Sequence, residues 1–187
     1  MSDRFAARLS PMLRRAAPLV LLAALGGCGG HDANTFAPAC PRPAILADAA
    51  DIIRYKPGAQ GQDLTDMVLS GRVVGVSGEC SPGDTATELK VKVQVSLELS
   101  RGPAATGPQD DVPFFVAVIE GDNILDKKSY AMHVAFPSNV DKVRLASDPI
   151  DLVLPVSADK SGVAYTVAAG FQLTPEELAR NRTHGVR

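Results

Sequence analysis

Between positions 89 and 99 the chain reads Leu-Lys-Val-Lys-Val-Gln-Val-Ser-Leu-Glu-Leu, with an apolar residue at every odd position and a polar one at every even position. Successive side chains of a β-strand point to opposite faces. The alternation therefore gathers six aliphatic side chains on one face and leaves Lys90, Lys92, Gln94, Ser96 and Glu98 on the other. Wound as an α-helix, the same residues would scatter around the circumference with no coherent apolar stripe. A strand patterned this way needs neighbours in a sheet and a second layer over its apolar face.

Further segments carry the same signature. Residues 68–76 (VLSGRVVGV) are rich in β-branched side chains, and their glycines point to a bulge or a bend. Residues 114–119 (FFVAVI) are apolar at every position, as in a central strand covered on both faces, and the turn-like Glu120-Gly121-Asp122-Asn123 follows as a hairpin connection. Tyr130, Met132, Val134 and Phe136 alternate with Ala131, His133 and Ala135, which puts His133 on the solvent face. Residues 148–156 (DPIDLVLPV) are strand-like but interrupted by prolines, favouring a sheet edge or a strand end. In 163–173 the pattern assigns Val163, Tyr165, Val167, Ala169, Phe171 and Leu173 to one face of a long core strand. In residues 45–55, Ile45, Leu46, Ala49, Ile52 and Ile53 fit a helical spacing, but a helix would lack a clear cap. The segment is read as two short extended pieces around an Asp48-Ala49-Ala50 turn. At the end, Thr174 as N-cap, Pro175 at N1 and Glu177 at N3 specify a short helix, with 180–187 fraying into a basic tail.

Six or seven short strands without strand–helix–strand alternation predict an all-β fold, an antiparallel β-sandwich with a short C-terminal helix. Tyr165, with Gly162 before it, resembles the tyrosine corner of immunoglobulin-like domains, although Ser161 and Val163 break the usual motif. That resemblance implies an immunoglobulin- or fibronectin-III-like topology.

The first thirty residues have another character. Arg4, Arg8, Arg14 and Arg15 precede an apolar run at 16–25 that is about half the roughly 20 residues a membrane-spanning helix needs. A positive leader, a short apolar stretch and small residues after it form a secretory signal. Leu25-Gly26-Gly27-Cys28 resembles the lipobox of bacterial lipoproteins. The resemblance implies cleavage before Cys28, a diacylglycerol on its sulfur and an acyl group on its nitrogen, with no other cofactor. Two or more acyl chains anchor a protein stably where one binds only marginally. Gly29 in place of an Asp implies the outer membrane, with the body facing the periplasm.

The organisation that follows is a signal peptide at 1–27, a Gly/Pro-broken tether at 28–39, a β-sandwich domain at 40–181 and a disordered tail at 182–187. The chain's net charge is −2. Its leader contributes +3, so the remaining 160 residues carry −5, which argues against nucleic acid as a partner. With Cys28 assigned to lipid, Cys40 and Cys80 are an even pair in an oxidising compartment and predict a disulfide. Two cysteines with no nearby His make neither a zinc set nor a C-x-x-C redox pair, so no metal site is expected.

Candidate chemistry is sparse. The histidines are His31 in the tether, His133 on a strand and His184 in the tail, and none stands in a G-x-S-x-G, H-E-x-x-H or S-x-x-K pattern. Glu120, Asp122, Asn123 and Asp126 lack the spacing of a calcium loop, and Asp110-Asp111 are too close in sequence to flank a glycosidic bond. Asn181-Arg182-Thr183 is a glycosylation sequon that a bacterial chain need not use. The segment 100–112 (SRGPAATGPQDDV) reads as the longest insertion and the natural place for a binding loop.

Segments from Cys40-Pro41, Ile45-Leu46 and Asp48-Ala49-Ala50 to Gly78-Glu79-Cys80, Phe114-Phe115-Val116-Ala117-Val118 and the run from Gly170 to Leu178 resemble a group of alphaproteobacterial envelope lipoproteins of unestablished function. The expectation is a non-catalytic, lipid-anchored module that binds or scaffolds another envelope protein. The alternative is an enzyme or small-ligand binder whose site gathers scattered loop residues around His133 and Asp122.

Overall fold

The computed structural model describes residues 39–59 and 63–184. Cys28, the leader and most of the tether lie outside them. The strands are β1 (Arg42–Ile45), β2 (Asp51–Tyr55), β3 (Met67–Pro82), β4 (Glu88–Arg101), β5 (Gln109–Glu120), β6 (Asn123–Ala135), β7 (Lys142–Ala146), β8 (Ile150–Pro155) and β9 (Tyr165–Phe171). A helix, α1 (Pro175–His184), follows them. One sheet has the order β1-β9-β5-β6; the other has β2-β3-β4, with β7 and β8 both on the free side of β4.

The alternating strand is the centre of the second sheet. Val93, Val95, Leu97 and Leu99 are buried against Phe114, Val116, Val118, Val167 and Phe171 of the facing sheet. At roughly 1.5–3 kcal/mol per fully buried aliphatic or aromatic side chain, this shared core is the main force holding the two sheets face to face. β5 is central in its own sheet and is covered on both faces, as its composition predicts. Phe114, Val116 and Val118 face the core, while Phe115 and Ala117 pack outside with Ala49. The β3 register shifts between Val73 and Gly75, the bulge its glycines foretold.

β7 and β8 are one broken strand in effect. β7 pairs with Ser96–Ser100 of β4 and β8 with Glu88–Val93. At the break Ser147 substitutes for the missing ladder residue: its N–H donates to the Val95 carbonyl at 2.9 Å, and its hydroxyl accepts from the Val95 N–H at 3.1 Å. Pro149 and Pro155 stand at the ends of β8 on the sheet edge, where a missing N–H does no harm.

Pairs β4–β8 and β5–β9 lie in opposite sheets, and the chain crosses between sheets from β4 to β5 and from β8 to β9. The four central strands of an immunoglobulin sandwich are interlocked in this manner. Tyr165 opens β9, is fully buried, and donates its phenolic hydrogen to the Pro155 carbonyl at 2.5 Å. Beyond β9 the arrangement departs from that fold, because the neighbouring strand is the first one, β1, and it runs parallel.

The predicted all-β, largely antiparallel sandwich with a C-terminal helix is observed, with β1 added in parallel. Three sequence expectations require correction. Val163 is not in the core: residues 162–164 form a 3-10 turn and Val163 is exposed. The insertion read at 100–112 is shorter, since β4 runs through Arg101 and β5 starts at Gln109, which leaves a loop at 102–108. Residues 180–184 do not fray; they are the second half of α1.

Candidate functional site

The ends of the sandwich differ in what they carry. Ala39 packs beside Gly162, where a Cβ would overlap the Ala39 carbonyl. Cys40 is joined by a disulfide to Cys80 near the end of β3, with Cα atoms 5.8 Å apart. At the same end Lys160 Nζ meets Glu120 Oε1 at 2.7 Å, and the β5–β6 turn closes on Gly121 at φ 58°. The chain thus enters the domain at one end, through a covalent staple.

The opposite end is built from loops. Residues 102–108 are tied down at both sides. The Gly102 N–H donates to the Val68 carbonyl at 2.8 Å and the Ala104 N–H to the Met67 carbonyl at 3.0 Å. At position 102 a Cβ would collide with the Met67 carbonyl, so glycine is required by close approach. Arg101 Nη2 meets Asp141 Oδ1 at 2.6 Å, and the guanidinium lies 5.9 Å over the Phe136 ring. A small cavity of about 120 Å³ opens between Val68, Arg101, Ala105, Asp110 and Phe136.

Around the corner, the outer face of the second sheet holds a wider groove of about 390 Å³, with Ile53, Tyr55, Leu64 and Met67 on one side and Arg72, Glu98 and Lys142 on the other. Its charges follow from register. Asp51, Arg72, Glu98 and Arg144 stand opposite one another on β2, β3, β4 and β7, an alternating row across the sheet. Arg72 binds both oxygens of Asp51 at 2.7 and 3.2 Å, and this bond holds its guanidinium above its ordinary range. The Lys142 ammonium, 2.6 Å from Glu98, holds that carboxyl below the usual carboxylate range. Exposed pairs of this kind are screened by solvent and contribute little to stability. The charges along this row alternate in sign and pair with one another.

Helix α1 forms one rim. Thr174 and Glu177 make a reciprocal capping box, with Glu177 N–H donating to Thr174 Oγ1 at 3.2 Å and Thr174 N–H donating to Glu177 Oε2 at 2.8 Å. Arg180 donates to the Ile53 carbonyl at 3.2 Å and lies over the Tyr55 ring. Asn181 Nδ2 donates to the Asp48 and Asp51 carbonyls at 2.9 and 2.8 Å. Sequence reasoning missed Arg180 and Asn181 as anchors. Their only local signal was the capping box, which fixes where the helix starts and not how far it runs.

The remaining singled-out residues are placed as follows. His133 Nδ1 lies 2.8 Å from Asp111 Oδ1, with both side chains more than half exposed. Asp122 is in the turn at the far end of the same hairpin. At ~3.3 Å per residue it is roughly 30 Å from His133, so the two cannot share a site. Asp110 accepts a hydrogen bond from the Asp111 N–H at 2.8 Å and otherwise faces the small cavity. Asp126 pairs with Lys128 on β6. Among the described residues, no three His, Cys, Asp or Glu side chains converge as a metal-binding group. His31 and Cys28 lie outside the described residues. No family model, curated protein or solved structure matches the chain.

Proposed function

We propose that this chain is a lipid-anchored bacterial envelope lipoprotein whose sandwich is a non-catalytic binding or scaffolding module for another envelope protein. The observation that carries the reading is the lipobox Leu25-Gly26-Gly27-Cys28, placed at the end of an apolar run too short to span a bilayer. Support comes from the disulfide between the two remaining cysteines, a bond that persists in oxidising compartments. The division of the body agrees with this reading. The described chain enters this body at the stapled end, and the loop at 102–108 lies at its other end. Gly29 assigns the outer membrane, facing the periplasm.

The test is metabolic labelling with an alkyne-bearing fatty acid, followed by separation of membrane and soluble fractions. The native chain should take up label and sediment with membranes. Cys28→Ser should lose the label and leave the membrane fraction; retention of either property rejects the anchor. Crosslinking in intact cells should then return a reproducible protein partner.

A further inference from the structure

β6 ends its sheet, and among the described residues no strand pairs with its outer side. Its two halves are unlike. In the first half Asp126 and Lys128 stand opposite Val118 and Val116, whose side chains point into the core. Those two charges therefore lie on the inward side of an open edge, a placement that discourages a further strand from adding there. The second half, 130–135, has no such guard. Its inward residues are Tyr130, Met132 and Val134, and it holds no Asp, Glu, Lys or Arg, with His133 on the outer face.

The backbone of this half is presented to solvent in a definite register. The Pro113 carbonyl accepts from the Gln172 N–H at 3.0 Å, so that residue faces β9 and not β6. Pro113 is opposite Ala131. In an antiparallel ladder the amide and carbonyl of one residue point to the same side, and the sides alternate. Ala131, His133 and Ala135 consequently direct their N–H and C=O groups to the free edge, while Tyr130, Met132 and Val134 bond to β5.

Beside this edge the two sheets fail to meet. The β7–β8 break at Ser147–Pro149 leaves a cleft of about 620 Å³ with Phe114, Tyr130, Met132 and Ile150 in its floor. Phe114 and Tyr130 stack there with ring centres 5.5 Å apart. The lining includes Asp148 and Asp151 and no Lys or Arg.

From these features we infer that β6 accepts an extended strand of a partner protein, added antiparallel along 130–135. Its alternate side chains are apolar and enter the cleft, while those between them point to the outer face with His133. Main-chain hydrogen bonds supply the affinity, and side chains in the cleft supply the selectivity. The inference rests on the proposed binding role and names the form of the partner.

The probe is an acetylated octapeptide of alternating lysine and valine, fluorescently tagged, titrated against the full detergent-extracted chain. In the antiparallel register its valines face the cleft and its lysine amides face β6. N-methylation of the lysine amides should weaken binding at least about ten-fold, whereas N-methylation of the valine amides should change it less than about two-fold. His133→Pro removes an edge-directed donor without touching the β5 ladder and should also weaken binding about ten-fold. Should that variant fail to fold, the two methylated peptides decide the matter. Equal weakening by both methylations, no binding of the parent peptide, or a self-dimer through β6 that excludes it would overturn the inference. Cys28→Ser chain should bind the peptide as the native chain does, so loss of anchoring and loss of strand addition are read separately.

Discussion

At the residue scale, Asn181 is the clearest case of a side chain whose role only the folded chain reveals. Its amide fixes two backbone carbonyls of the turn that leads into β2. Asn181→Ala would leave the acceptors to water and should cost about 1–2 kcal/mol, read as a lower urea midpoint with an unchanged slope. Glu98 gives a pH-dependent prediction. Its carboxyl is held below its ordinary value first by the hydrogen bond from Lys142. A depressed acid contributes stability above its unfolded pKa, and the contribution is lost as pH falls through the lower folded value. Glu98→Gln should therefore be less stable than the native chain at neutral pH. The gap should close once the pH drops below the ordinary carboxylate range, as followed by urea midpoints against pH. Neither role was legible in sequence, because the partners are supplied by register and by a contact 130 or more residues away.

At the element scale, legibility followed the strength of the local pattern. The 89–99 alternation located β4 and its buried face, and 114–119 located a strand covered on both sides. Residues 100–112 misled, since Asp110 and Asp111 are polar by side chain while their backbones continue the β5–β6 ladder. Val163 misled for another reason. The apolar alternation runs through it, but Ala39 packs against Gly162 and the chain turns there before β9 begins. β7 is five residues long and is specified by pairing with β4, which no local window contains. The terminal helix was legible through its cap and tests the same logic. Thr174→Ala should cost about 1 kcal/mol and Thr174→Ser much less. Hydrogen exchange should quicken in α1 ahead of the sheets.

At the scale of the whole molecule, the staple between Cys40 and Cys80 closes a separation of 40 residues. On the chain-entropy model such a loop contributes about 4 kcal/mol, so the Cys40→Ser/Cys80→Ser chain should show a correspondingly lower unfolding free energy that reductant does not alter further. The general architecture was readable from patterning, but the parallel β1 was not, because four residues without alternation do not announce a strand. The staple also settles how the domain carries a load. A pull applied at residue 39 reaches Cys40 and passes through the disulfide directly to Cys80, bypassing everything between. β1, the 47–49 turn, β2 and most of β3 lie inside that covalent loop and bear no tension. The pull arrives instead at Cys80, where only Cys80, Ser81 and Pro82 of β3 remain paired with β4 beyond the bond. The short β1 is therefore shielded from being peeled from its sheet while the bond is intact.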